Sequence, residues 1–394
     1  MRRAGVTGLG CITAAGENLE EMMENLYAGQ RYPSAPTRFK TDLKVLPPLF
    51  EVKKQLPAID EGQEVRTNSF IITALEEALA HAQLDWNDLD KNRVGIVIGT
   101  TVGCAFNNDS FYADYRGGKF PDISSVNRYL SSNSALCIAK KYGVRGPALS
   151  VANACSSSTD AIGIAKGWIE KGRCDLVIAG GADEICRHLY LGFHSLLNTS
   201  PEPCRPFDRN RKGLNLGEGA GIMILEEAGA AKARGAKIHA IVAAYACRSD
   251  AWHPTAPHPE GKGLVNATKA VFRDSGLRPE EIAFINAHGT STVENDRIEG
   301  SVISRLFPKD IPVVSTKAYT GHTLGGAGGV EAVLTVRGLM DRCIPATAGF
   351  EEADEACAIQ PTTKVTGIRG RAALSNSLAF GGHNAVLAFI GGTR

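Results

Sequence analysis

The chain has 394 residues, 43% of them hydrophobic and 22% charged, a balance that excludes a disordered polymer and gives length enough for two domains or one duplicated unit. Lys and Arg number 43 against 42 for Asp and Glu, so the net charge of +1 offers no general attraction for nucleic acid or an anionic membrane. No apolar run approaches the roughly 20 residues that a membrane span needs.

In chain order, Ala4 to Gly16 only faintly mimics a signal peptide; its interspersed glycines and threonines read as a strand and a turn. Asn18 then caps a helix, with Glu21 three residues on and Leu19, Met22, Met23 and Leu26 on one face. Short apolar runs follow, separated by helical patterns. Those at 94–99, 149–152, 176–179, 222–225, 282–287 and 313–314 read as buried strands, and Ile298, Val302 and Leu306 repeat at one-turn spacing. The alternation defines an α/β chain. A strand at 149–152 and another at 313–314 each lead into a small-residue elbow and a helix, which implies two related halves, 1–247 and 248–394.

The ten cysteines show no C-x-x-C pair and no Cys/His spacing that suits a metal, and a reducing cytoplasm is the natural setting. Cys155 stands apart. It falls in Val151-Ala-Asn-Ala-Cys-Ser-Ser-Ser158, between a strand and a helix running to about Lys171. Unpaired N–H groups at a helix start favour a thiolate and can hold an oxyanion, so this position suits a nucleophile. On the same helix, Gly163 and Gly167 would let another element pack closely.

A nucleophilic cysteine needs groups that stabilise oxyanions and handle protons near neutral pH, and histidine serves both ends. His288, in Asn286-Ala-His-Gly-Thr-Ser-Thr292, and His322, in Thr320-Gly-His-Thr-Leu-Gly325, each follow a strand and precede a helix. Lys317, five residues before His322, would keep an imidazole neutral, and Glu331 would keep that lysine paired. The final strand region carries Phe380 against Gly381 and Gly382, a tight loop whose N–H and ring can both face the nucleophile.

Together these motifs resemble the β-ketoacyl-acyl carrier protein synthases, elongating synthase I and II type, along nearly the whole chain. The resemblance rests on Val6-Thr-Gly-Leu-Gly10, Ala154-Cys-Ser-Ser157, Arg205-Pro-Phe-Asp208 with Gly217-Glu-Gly-Ala-Gly221, His288-Gly-Thr-Ser-Thr292, the Lys317–His322 segment and Phe380-Gly-Gly382. It implies a thiolase fold, a duplicated five-layer αβαβα architecture. It also implies that Cys155 carries the acyl group as a thioester, with its own N–H and that of Phe380 as one oxyanion hole. His288 and His322 would form the second, for the enolate left when a malonyl thioester loses carbon dioxide. Lys317 and Glu331 would support them, and Phe380 would gate acyl and malonyl entry. Thr255, Thr290 and Thr292 are similar to the family's pantetheine contacts. No metal and no resident cofactor is implied, since phosphopantetheine arrives on the carrier-bound substrate. Partners would be an acyl carrier protein and a second copy in a homodimer.

Two features depart from the family pattern. Asn153 stands where a small hydroxyl residue is usual, and Phe106, Asn107 and Asn108 occupy the region expected to line the far acyl pocket with apolar groups. Arg209, Arg211 and Lys212 are candidates for carrier docking, with Lys119 and Arg128 behind them. Competing readings are a coenzyme A-dependent thiolase-like acyltransferase and a non-catalytic chain-length partner. The last loop lacks the second cysteine expected of a thiolase, and the presence of Cys155 argues against the inactive partner.

Overall fold

The computed structural model describes residues 2–56, 66–101, 109–124, 126–127 and 133–392. Phe106, Asn107, Asn108 and Arg128 lie outside the described residues. The first half runs β1 (Ala4–Thr13), α1 (Leu19–Tyr27), α2 (Arg66–His81), β2 (Val94–Gly99), α3 (Asp109–Arg116), α4 (Ser134–Tyr142), β3 (Ala148–Val151), α5 (Ser157–Glu170), β4 (Leu176–Asp183), α6 (Arg187–Ser195), β5 (Gly219–Glu227) and α7 (Ala228–Ala233). The second runs β6 (Ala240–Ser249), α8 (Lys262–Ser275), β7 (Ile282–Asn286), α9 (Val293–Leu306), β8 (Val313–Val314), α10 (Lys317–Thr320) and α11 (Ala327–Asp341). It closes with β9 (Cys343–Ile344), β10 (Thr366–Gly367), β11 (Ala372–Ala379) and β12 (His383–Gly391).

The strands are ordered β3-β2-β4-β5-β1 and then β6-β12-β11-β7-β8. Gly5 with Ile241 and Val6 with Ala240 make the β1–β6 pairing, a short seam between two five-stranded sheets. In each sheet three strands run parallel and the remaining pairings are antiparallel, in matching positions. The repeat therefore begins at β6, ahead of residue 248, because β6 hydrogen-bonds to β12 of the second sheet.

Side-chain alternation builds the layers. Val177 and Ala179 of β4 face the middle of the molecule while Ile178 faces the opposite side, so a strand covered on both faces reads as a continuous apolar run. Phe70, Ile71 and Leu75 of α2 cover the outer face of the first sheet. Ala161, Ile162 and Ala165 of α5 and Val330, Val333 and Val336 of α11 fill the middle. Leu264, Ala267 and Val271 of α8, with Val302 and Ile303 of α9, cover the second sheet. The result is the five-layer thiolase fold, with α5 and α11 as its central helices.

Local signals hold closely. Asn18 caps α1 by accepting from the Glu21 N–H, and Leu19, Met22, Met23 and Leu26 are its buried face. Strand β3 departs from expectation. Among the described residues it is an edge strand and not a buried one, with Leu149 40% exposed, because it pairs with β2 on one side alone. A Cβ at Gly163 would meet the Tyr245 ring at 2.2 Å, whereas one at Gly167 would meet open space, so only the first glycine marks a close approach.

Candidate active site

Strands β3, β7 and β8 end near one another, and the loops that follow them bring Cys155, His288 and His322 together. After β3 the chain turns through Asn153 and Ala154, the latter in the left-handed region at φ 47°, and α5 begins at Ser157. A non-glycine residue held there costs about 1 kcal/mol or more, which the surrounding contacts must offset. The cysteine side chain that this elbow presents is 5% exposed. Its sulfur lies 3.1 Å from His322 Nε2, and the Phe380 amide N–H also faces it.

Both imidazoles are buried, and both have Nδ1 engaged by a donor. The Leu324 N–H donates to His322 Nδ1 at 3.2 Å, and the Lys317 ammonium lies 3.1 Å from His288 Nδ1. Each ring proton therefore resides on Nε2, and the His322 Nε2–H is aimed at the thiol. Lys317 was expected beside His322, yet its direct contact is His288. The α10 turn folds Lys317 back beneath the β7 loop. Its other partner is the Glu331 carboxylate, as expected, and lysine and glutamate alike are 2% exposed at the side chain.

Burial pushes Cys155, His288, His322 and Glu331 toward neutrality. It holds both histidines well below the usual imidazole range, aided by the Lys317 charge. It raises the Glu331 carboxyl to about 7, against the pull of Lys317. The thiol of Cys155 is pushed up to about 11; Lys317 and the Phe380 N–H oppose this without overcoming it. The resting nucleophile is thus a thiol. The thiolate expected at a helix start is not favoured, because desolvation outweighs the N–H groups nearby.

A cavity of about 260 Å³ opens onto these residues, lined by Cys155, His288, His322 and Phe380 and, further along, by Thr255, Thr290, Thr292 and Lys212. The Thr290 and Thr292 hydroxyls lie 2.9 Å apart. Phe380 sits in the β11–β12 hairpin, where Gly381 and Gly382 take φ of 81° and 79°. Its ring stacks on Phe193 of α6 with centroids 5.5 Å apart, so two aromatic rings line the cavity beside the sulfur.

Three carboxylates that sequence reasoning missed hold the loops in place. Glu299 of α9 accepts from the His288 and Gly289 N–H groups, each at 2.8 Å. Its signal was legible, a carboxylate on the same helical face as Val302 and Ile303. Asp183, at the end of apolar β4, accepts from the Thr100 hydroxyl and the Thr101 and Gly325 N–H groups, and burial raises it to about 6. Asp160 receives the Asn153 amide at 2.6 Å, which gives that unusual residue a partner.

The basic cluster divides. Arg211 is corrected from the docking set, since its side chain is 2% exposed. Its guanidinium donates to Asp354 and to the Asp208 and Val293 carbonyls, holding loops together. Arg209 and Lys212 are exposed, but each is paired, with Glu352 and Glu202 respectively. Lys119 is exposed and bound to Asp114.

A buried thiol facing two N–H-bearing imidazoles and a backbone amide, at the wall of this cavity, can form a covalent thioester and stabilise two separate oxyanions. The fold and this site define an acyltransferase of the condensing type. Residues 1–231 match the family described as beta-ketoacyl synthase, N-terminal domain, and residues 239–351 match its C-terminal domain. The 3-oxoacyl-[acyl-carrier-protein] synthase 2 of Synechocystis sp. is 35% identical over 98% of both chains. Among solved structures, the ishigamide ketosynthase/chain length factor superposes with a TM-score of 0.93 at 31% identity, covering 100% of this chain and 99% of that one. A type II polyketide ketosynthase bound to a hexaketide, in complex with its acyl carrier protein, gives 0.90 at 27% identity over 99% of both chains. The chain belongs to the β-ketoacyl synthase family.

Proposed function

We propose that the protein condenses a carrier-bound acyl group with a carrier-bound malonyl group. The observation that carries this reading is the disposition of Cys155 against two imidazoles that both offer Nε2–H to one cavity. In the first half-reaction the Cys155 sulfur attacks the acyl thioester. The oxyanion sits on the Cys155 and Phe380 N–H groups, and the thiol proton ends on the departing pantetheine sulfur. In the second, a malonyl thioester loses its carboxylate as carbon dioxide, and the His288 and His322 Nε2–H groups hold the enolate oxygen. The enolate carbon attacks the acyl carbonyl, the Cys155–carbon bond breaks, and the released thiolate takes a proton from solvent.

The ring tautomers bear on metal chemistry. Cys155, His288 and His322 are close enough to resemble a ligand set, but a ligating Nε2 needs a lone pair, and here it carries the proton. We therefore read the site as working without a metal or resident cofactor, with phosphopantetheine brought by the substrate. Thr255, Thr290 and Thr292 would contact it along the channel, and Phe380 with Phe193 would form the gate between acyl and malonyl entry. Arg209 and Lys212 remain as docking candidates for the carrier, and the free thiols of the nine described cysteines favour a reducing cytoplasm. A homodimer is supported by the edge strand β3, which exposes Leu149, and by exposed Leu136 on the α4 helix packed against it.

Intact-mass analysis after incubation with an acyl-carrier thioester tests the reading. An acyl adduct should map to Cys155 and vanish in Cys155→Ala; an adduct that survives the substitution would refute it.

A further inference from the structure

Asp160 lies in the first turn of α5, 5% exposed, with no cation paired to it among the described residues. Donors surround it instead. Oδ2 accepts from the Asn153 side-chain amide at 2.6 Å, and Oδ1 accepts from the Tyr245 hydroxyl at 2.8 Å. The Ser156 hydroxyl lies 3.0 Å from both Asp160 Oδ2 and the Asn153 carbonyl and can donate to either. The Asn153 N–H donates to the Ser157 hydroxyl at 2.8 Å, and that hydroxyl donates to the Ala154 carbonyl at 2.6 Å. The strained Ala154, immediately before the nucleophile, is thus tied on both sides.

Tyr245 comes from β6, in the other half of the molecule. Its ring crosses α5 directly over Gly163, where any Cβ would come within 2.2 Å of it. Gly163, Tyr245, Asp160 and Asn153 therefore form one brace from the second sheet across the central helix to the Cys155 elbow.

We infer that Asp160 is a positioning residue for the nucleophile, acting through Asn153 and Ser156 and held in turn by Tyr245. Its effect on chemistry rests on the reading of Cys155 as the acylated group. The brace keeps Ala154 in its left-handed conformation, and that conformation sets where the Cys155 N–H and sulfur lie relative to the Phe380 N–H and His322. A hydrogen bond to a charged group is worth enough that losing the Asn153–Asp160 contact should slow Cys155 chemistry about tenfold or more. Substrate binding, which occurs along the channel, should be spared.

The test uses the full-length protein with four variants. Asn153→Asp sets two carboxylates against each other, Asp160→Ala removes the acceptor, and Tyr245→Phe removes one hydroxyl. The exchange Asn153→Asp with Asp160→Asn restores an amide facing a carboxylate. Two rates are read on the folded fraction: alkylation of Cys155 by iodoacetamide, and acylation by an acyl-carrier thioester with its KM. Asn153→Asp and Asp160→Ala should slow both about tenfold or more with KM within about twofold, Tyr245→Phe should slow them less, and the exchange should recover most of the loss. The inference is overturned if Asn153→Asp reacts like wild type, or if the exchange reacts no faster than Asn153→Asp. Should the carboxylate variants fail to fold, Tyr245→Phe decides alone, and an unchanged alkylation rate overturns the proposal. Wild type that alkylates but takes no acyl group on Cys155 would overturn the acylation reading, while the alkylation series still judges the brace.

Discussion

The elbow after β3 and the elbow after β8 occupy matching places in the two sheets, and they are built from opposite materials. The first carries Cys155 and is held by neutral donors gathered on Asp160. The second carries His322 and is held by a buried ion pair, Lys317 with Glu331, together with the Asp183 carboxylate that receives the Gly325 N–H. Yet burial moves both reacting groups the same way. It raises the thiol and lowers the imidazoles, so each is uncharged at rest. The two sheets offer equivalent strand-to-helix slots, one holding a nucleophile and the other an N–H donor.

That contrast can be broken most severely on the histidine side. His288→Ala should reduce condensation by about a hundredfold to a thousandfold, the cost of one oxyanion donor, as measured by steady-state product formation. Acyl loading of Cys155 should be little changed, since its oxyanion rests on backbone N–H groups.

Lys317→Ala should come next, through stability and its pH dependence. In wild type Glu331 titrates near 7, above its unfolded value, so its neutral form favours the folded state at low pH and that contribution is lost as pH rises through 7. Without Lys317 the carboxyl rises further and the loss extends to higher pH, at about 1.4 kcal/mol per unit. Thermal unfolding across pH 5 to 9, compared with wild type, checks this. Equal slopes would mean that the ion pair contributes nothing.

The thiol side sharpens the contrast. Because the Cys155 thiol lies near 11, its reaction with iodoacetamide should rise about tenfold per pH unit from 7 toward 10 with no plateau on the way. A plateau near 7 would mean a thiolate stabilised by the elbow. The smallest effect belongs to the rim, where Arg209 and Lys212 are already paired. Reversing both charges should lower kcat/KM for carrier-bound substrate a few-fold at low salt and less at high salt, leaving small thioesters unaffected.

Much of this was legible in residue order. Periodicity placed β2 and β8, Asn18 announced α1, and strand-to-elbow patterns singled out Cys155, His288 and His322. What was not legible depends on contacts between distant segments. Arg211 sits in a basic run that reads as a surface patch, and only the packing of the Asp354 loop over it shows that it is buried. Asn153 had no role until the fold brought α5 and Tyr245 beside it. The nucleophile's protonation likewise could not be read from its place before a helix. It depends on how completely the site excludes water.

The central claim is a division of labour, in which Cys155 with the Phe380 N–H loads the acyl group and His288 with His322 generates the carbon nucleophile. The most direct measurement is intact-mass analysis of wild type and His322→Ala, first with an acyl-carrier thioester and then with malonyl-carrier. Both proteins should gain the acyl mass on Cys155, and only wild type should discharge it with release of carbon dioxide. Failure of His322→Ala to load, or its full discharge, would contradict the account.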